Sequence, residues 1–361
     1  MTTTSLRTLA PTSASSRPSP LRRLGAVLSL GLTALSLAAC GTTDVEASTD
    51  ATKDASAVSE SCADDSTSTA TGPVELTDDF GRTVKLDEPA KRVAVLEWQQ
   101  TEDLLSLCVT PVGVADAEGF STWDTAEKLP DGATDVGQRG EPDLDTLYGT
   151  NPDLIIVEAS SKDDEIIGQL EERGVPVLAT QGADAKDPIG NMKDLFSLIG
   201  KATGRTERAD AVLQEFDQHL AEAKKKVADV DLPTRDFVYF DGWVDGGNVS
   251  IRPFGKGALF SALGEELGLK PAWTGKTDAI YGLGQTDIEG LTSVGDANLF
   301  YTSTDDPAGN YVTELEKNDI WTSLPAVEDG RAHPFPSSIW TFGGPRTSEQ
   351  AVDAYVDALT K

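Results

Sequence analysis

Residues 136–158, VGQRGEPDLDTLYGTNPDLIIVE, decide the fold. They read as a strand end, an exposed loop, one short helix and a buried strand. Pro142 suits the first turn of a helix, where its missing N–H costs nothing, and it pushes Glu141 toward an extended conformation. The helix is therefore expected to start near Pro142. Asp143 and Asp145 fall in its first turn, where the partial positive charge of the helix end favours acids, and Gly149 with Asn151-Pro152 stops it. Leu154, Ile155, Ile156 and Val157 follow as an unbroken apolar run, the pattern of a parallel strand covered on both faces. Arg139 is left at the carboxyl end of the preceding strand, on the rim where open α/β sheets bind ligands.

Working outward, strands alternate with helices. Residues 91–96 read as a strand, 101–107 as a short helix, 112–115 as a strand, 166–173 as a helix and 175–179 as a strand, which implies a parallel sheet with right-handed crossovers. Residues 188–230 hold two helical segments broken near Thr203-Gly204. In the second, Leu213, Phe216, Leu220, Ala223 and Val227 form one apolar stripe, with Lys224, Lys225 and Lys226 near the end where cations are favoured. A second α/β pattern follows: a strand at 236–240, helices at 258–267 and 288–294, and a strand at 298–301. It contains an internal echo. Asp145-Thr146-Leu147 before Asp153-Leu154-Ile155-Ile156 has its counterpart in Glu289-Gly290-Leu291 before Asn298-Leu299-Phe300-Tyr301. Each half places an acid on a short helix leading into a buried strand.

The chain has 361 residues, 39% of them hydrophobic, enough for two ordinary cores. Its net charge of −30 repels phosphate backbones and anionic headgroups, so nucleic acid is not an expected partner. Residues 24–37 are an apolar stretch of signal-peptide length behind Arg22-Arg23, ending in Leu37-Ala38-Ala39-Cys40. Small residues before a Cys here resemble a lipoprotein signal, which implies lipid on Cys40. An ordinary export signal is the alternative. Residues 41–72 are Ser, Thr, Ala and Asp with almost no large apolar side chain, so they read as a disordered tether. Cys62 and Cys108 are the remaining cysteines; whether they pair depends on a distance that the sequence does not carry.

The run Gly137-x-Arg139-x-x-Pro142-x-Leu144-Asp145 leading into Pro152-Asp153-Leu154-Ile155-Ile156 resembles the iron-siderophore branch of the ABC-transporter substrate-binding proteins, which includes ferric-citrate, ferric-hydroxamate and cobalamin binders. A looser similarity runs from about Val74 to the C-terminus. Asp145 departs from the pattern, since the family more often has Glu there. The resemblance implies an α/β fold of class III periplasmic-binding-protein type: two Rossmann-like lobes with mostly parallel sheets, joined by a long rigid helix. It divides the chain into a lipoprotein signal peptide (1–39), a tether (40–72), an N-terminal lobe (73–204), a connector helix (205–230) and a C-terminal lobe (231–361). It further implies an extracytoplasmic monomer, held at the membrane only by its lipid, that carries a ferric siderophore to the permease of an ABC importer. No other cofactor is expected.

Arg139 offers five donors in a planar fork, suited to the oxygens around a chelated metal; a solvated loop Arg is the plainer alternative. Trp98 and Trp243 follow predicted strands at their carboxyl ends, Trp340 lies in a loop with Phe342-Gly343-Gly344-Pro345, and with Tyr281 these aromatics can wall a cleft or simply pack a core. Arg252 is a second donor, from the other half. Together Arg139 and Arg252 favour an anionic or oxygen-rich chelate, while the aromatics and the limited number of arginines tilt toward hydroxamates. Asp145 and Glu289 match the family positions that pair with permease arginines; solvated helix-end acids are the bland alternative. With only His219 and His333, a metal site built from histidines is not expected. A cobalamin or haem binder of the same fold is a second reading. The reading from another class is a hydrolase using Glu97, Glu158, Asp241 or Asp245, although no motif activates a nucleophile.

Overall fold

The computed structural model describes residues 59–303 and 310–361. The signal segment, Cys40 and the tether up to residue 58 lie outside them. The first ordered pair is the hairpin β1 (Val74–Thr77) and β2 (Thr83–Leu86), closed by the Asp78 carboxylate, which accepts from the amides of Phe80 and Arg82. The chain then runs through β3 (Val93–Val95), α1 (Trp98–Ser106), β4 (Gly113–Val114), α2 (Ala117–Trp123) and β5 (Thr134–Asp135). A two-residue hairpin, β6 (Gly137–Gln138) and β7 (Glu141–Pro142), precedes α3 (Leu144–Gly149) and β8 (Leu154–Glu158); α4 (Glu165–Glu171) and β9 (Val177–Thr180) complete this half.

Its sheet has the order β5-β4-β3-β8-β9 and is parallel throughout. The apolar run at 154–157 serves both faces, as its composition demands. Leu154 and Ile156 join Val93, Val95 and Leu178 in one core, while Ile155 and Val157 join Ala94, Val177 and Ala179 in the other. The helix expected from Pro142 begins at Leu144 instead. Asp143 is its cap, accepting from Thr146 N at 2.8 Å, and Pro142 is held extended by pairing across the hairpin to Gly137.

Two helices lead onward, α5 (Pro188–Ala202) and α6 (Thr206–Ala228). Ala209 and Val212 of α6 sit in the first core, whereas Phe216, Ala223 and Val227 sit in a core of the second half. One helix of roughly 34 Å is thus embedded at both ends, and α5 does the same with Leu195 and Phe196 on one side and Met192 on the other. Bending between the halves must break packing in one core.

The second half contains β10 (Asp236–Asp245), β11 (Asn248–Phe254), α7 (Leu259–Glu266), β12 (Lys270–Pro271) and β13 (Thr286–Asp287). A 3-10 turn at Glu289–Val294 leads into β14 (Asn298–Tyr301). Short helices α8 (Val312–Leu315), α9 (Asp319–Thr322) and α10 (Pro325–Glu328), then β15 (Ala332–Pro334) and the long α11 (Pro345–Thr360), close the chain. The sheet order is β13-β11-β10-β14-β15, with β12 also on β10. It is mixed: β10-β14-β15 are parallel, but β11 is antiparallel to both β10 and β13. The two halves nonetheless correspond, since β14 lies beside β10 as β8 lies beside β3.

Residues 59–72 correct the expected tether. Cys62 and Cys108 are disulfide-bonded with Cα atoms 5.6 Å apart, Ala70 N donates to Gly204 O, and Arg208 Nη2 donates to Ser61 O. Arg205 reaches Thr67 Oγ1 and Thr69 Oγ1, both at 3.0 Å, and pairs with Asp65. Apolar content governs whether a segment can bury a core, and Cys62 is the one apolar side chain that these residues bury; covalent and polar ties hold them instead.

Candidate functional site

Both halves aim loops at one cleft. From the first, β3 ends and Glu97 caps α1, its Oε1 accepting from Trp98 N at 2.9 Å. The β6–β7 hairpin turns on Gly137 and Gly140, with φ of +100° and +80°; a side chain on Gly137 would also meet Asp143 N at 2.7 Å. Between these glycines Arg139 is carried to the tip. Its guanidinium lies 3.8 Å from the centroid of the Trp98 ring and 5.2 Å from that of Trp340, and its Nη1 is 2.6 Å from Glu97 Oε1. Trp98 itself is 4% exposed, held by a bond from Nε1 to Asp116 O.

From the second half, Arg252 and Asp241 face each other across β10 and β11. The guanidinium grips the carboxylate with two nitrogens, the Nε bond being 2.8 Å, in the bidentate geometry that suits this pair. Burial raises the Asp241 carboxyl despite the arginine. Trp340 meets Trp98 edge-on at 4.6 Å, Phe342 lies 5.3 Å from Trp340, and Tyr281 packs edge-on to Phe342 at 5.4 Å. These rings form a continuous seam from one half to the other, with Arg139 over Trp98 at one end and Arg252 over Phe342, 5.1 Å from its centroid, toward the other.

At the end of β8, Glu158 receives a hydrogen bond from the Tyr281 hydroxyl. Burial, and then the charge of Glu97, push the Glu158 carboxyl up to about 7, against the pull of Tyr281 and Arg139. Burial and Glu158 in turn raise the Tyr281 phenol. The resulting cavity of about 260 Å³ is lined by Glu97, Gln99, Arg139, Glu158, Arg252, Tyr281, Trp340 and Phe342, with Gly182 and Leu283.

Of the residues expected here from sequence, Arg139, Arg252, Tyr281 and Trp340 line this cavity. Trp98 does not. It lies beneath Arg139 as a platform, because the helix it opens turns its ring into a small core with Leu105 and Phe120. Trp243 stands apart as well, 41% exposed on the outer arm of the β10–β11 hairpin, since β10 runs five residues past the expected strand end. Glu97 and Glu158 line the cleft but are engaged with Arg139 and Tyr281, and Asp241 is engaged with Arg252. Their signal was legible: each of the two glutamates directly follows or ends a strand, on the ligand-binding rim. Phe342 and Gln99 carried no such mark. His219 pairs with Asp353 at 2.9 Å and His333 stacks on Phe300, both away from the cavity.

Asp145 and Glu289 are both exposed, and their settings match. Asp145 follows the capping Asp143, and Glu289 follows Asp287, whose carboxylate accepts from Gly290 N at 3.0 Å. Asp145 also meets Arg173 at 2.7 Å while its side chain stays 91% exposed.

The Bacillus subtilis lipoprotein YhfQ, by name an ABC transporter substrate-binding protein, is 29% identical over 300 residues, covering 80% of this chain and 88% of that protein. The iron(3+)-hydroxamate-binding protein FhuD of Escherichia coli is 24% identical over 253 residues, covering 70% and 81%. Among solved structures, the triscatecholate siderophore binding protein FeuA of Bacillus subtilis superposes with a TM-score of 0.63 at 20% identity, covering 79% of this chain and 98% of that one. The shared architecture, two α/β lobes joined by a long helix, is the class III periplasmic-binding-protein fold. The model of the periplasmic binding protein family matches residues 93–336, more than half of the sequence, and the chain belongs to that family.

Proposed function

We propose that this protein captures a ferric siderophore in the cleft between its lobes and delivers it unaltered to an ABC importer. The observation that carries this is the aromatic seam with Arg139 over its Trp98 ring and Arg252 over its Phe342 ring. It offers flat apolar surface to the organic part of a chelate and N–H donors to the oxygens around the iron. The names of the relatives, an ABC substrate-binding lipoprotein and an iron-hydroxamate binder, support it. Arg139, Arg252, Tyr281, Trp340 and Phe342 hold the ligand in this proposal, with Trp98 backing Arg139. The carboxylates of the cleft position donors, and the protein makes and breaks no bond.

Asp145 and Glu289, placed alike on the two lobes, are proposed to dock on arginines of the permease. Lipid on Cys40 would hold an extracytoplasmic monomer at the membrane; among the described residues no helix is long and apolar enough to cross one. Titrating the purified protein with a panel of ferric chelates, read by tryptophan fluorescence, tests the central claim. Quenching that saturates is expected, because Trp98 and Trp340 flank Arg139. Silence toward every iron chelate, with binding of cobalamin or haem or with turnover of a substrate, overturns it.

A further inference from the structure

Both arginines that face the cavity arrive already neutralised. Glu97 is 2.6 Å from Arg139 Nη1, and Asp241 holds Arg252 through Nε and Nη2. A guanidinium has five N–H groups, so each keeps donors to offer after its charge has been matched. Glu158 faces the same cavity, and the group that bonds it, Tyr281, is a neutral phenol. Among the described residues no lysine and no third arginine lines this space. Above the pH near 7 at which Glu158 ionises, the cleft therefore combines unspent donors with one carboxylate charge in excess.

We infer that the cleft sorts ferric chelates by charge, accepting those of zero or positive net charge over polyanions, with Glu158 as the residue that sets the preference. This rests on the siderophore function proposed above and names the ligand class of the same site. Of the sequence-based expectation that Arg139 and Arg252 favour an anionic or oxygen-rich chelate, it keeps the oxygen-rich part and replaces the anionic one. A carbonyl or hydroxamate oxygen of an uncharged complex can accept from the spare N–H groups while Glu97 and Asp241 stay paired. A polyanion must either pull the arginines away, stranding carboxylates in a largely buried site, or lie beside three carboxylates. In a partly solvated cleft, one excess carboxylate changes affinity by roughly fivefold per unit of ligand charge.

The test uses ferric linear trihydroxamates that differ only at a terminal amine: free and monocationic, acetylated and neutral, or succinylated and monoanionic. A trianionic ferric tris-catecholate is the fourth probe. Each is titrated into the purified protein in a buffer more alkaline than the pH near 7 at which Glu158 ionises. Affinity is expected to fall from cation to neutral to anion, by roughly fivefold per step, and Glu158→Gln is expected to compress that spread. The spread is a ratio within one protein, so a general loss of affinity in the variant cancels. A level or reversed order, or a tris-catecholate bound as tightly as the neutral trihydroxamate, overturns the charge rule and leaves the siderophore function standing. If none of the four binds, the charge rule falls, and the full panel of ferric chelates decides the siderophore function separately.

Discussion

The hydroxyl of Tyr281 donates to the carboxylate of Glu158, tying a loop of the second lobe to the end of β8 in the first. The bond spans the cleft, and its acceptor is a carboxyl held at about 7 by burial and by Glu97. Ligand site and interlobe contact therefore share a group whose charge changes near neutrality.

Stability should respond to pH through Glu158 with a definite sign. Its folded-state value of about 7 lies above the ordinary 4.5, so between these values the folded protein keeps a proton that the unfolded chain has lost. The resulting stabilisation is complete below about 4.5 and fades as pH rises through 7, by at most about 3 kcal/mol. Urea melts across that range should show the decline, and Glu158→Gln should flatten it. An unchanged slope in the variant assigns the dependence to other groups.

Arg139→Ala should weaken ligand binding by about 1.5–3 kcal/mol, the range for a hydrogen bond to a charged group, with little change in the melting midpoint. Unaltered affinity by titration removes Arg139 from the site. Arg252→Ala differs, because it leaves Asp241 buried without its partner and should also cost about 2–4 kcal/mol of folding stability by urea denaturation.

Glu102 links the lobes at a second place. Fully buried on α1, it accepts from Gly344 N, Thr347 N and Thr347 Oγ1 at the start of α11. Glu102→Ala should destabilise by about 2–4 kcal/mol, since several buried donors lose their acceptor together. Glu102→Gln, which keeps one acceptor oxygen, should recover part of it; equal losses in the two variants would point to packing instead.

The Cys62–Cys108 bond closes a loop of 46 residues, worth about 4 kcal/mol in the chain-entropy account. Reduction should lower the unfolding midpoint and free residues 59–72 for proteolysis. Resistance to protease after reduction would mean that the Arg205 and Arg208 contacts hold the segment alone.

Reversing both Asp145 and Glu289 to Arg should stop uptake in cells while ligand affinity in vitro is retained. Both side chains are exposed and neither lines the cavity, so a joint loss of affinity and uptake would indicate misfolding.

Periodicity and strand composition by themselves determined the two α/β halves, the long helix between them and the rim position of Arg139. Those properties depend on neighbours a few residues apart, as in the run Leu154 to Val157. Tertiary structure alone decided that Trp98 lies under Arg139 and that Trp243 stands clear of the cleft. It also decided that Glu97 and Asp241 cancel the arginines, and that the Cys62 and Cys108 sulfurs meet. Glu97 and Arg139 are 42 residues apart and the two cysteines 46, while Asp241 and Arg252, 11 apart, meet only through the register of β10 and β11. Whether a charge is bare or matched, and whether a ring faces ligand or core, depends on which distant groups the fold places within a few ångströms of it.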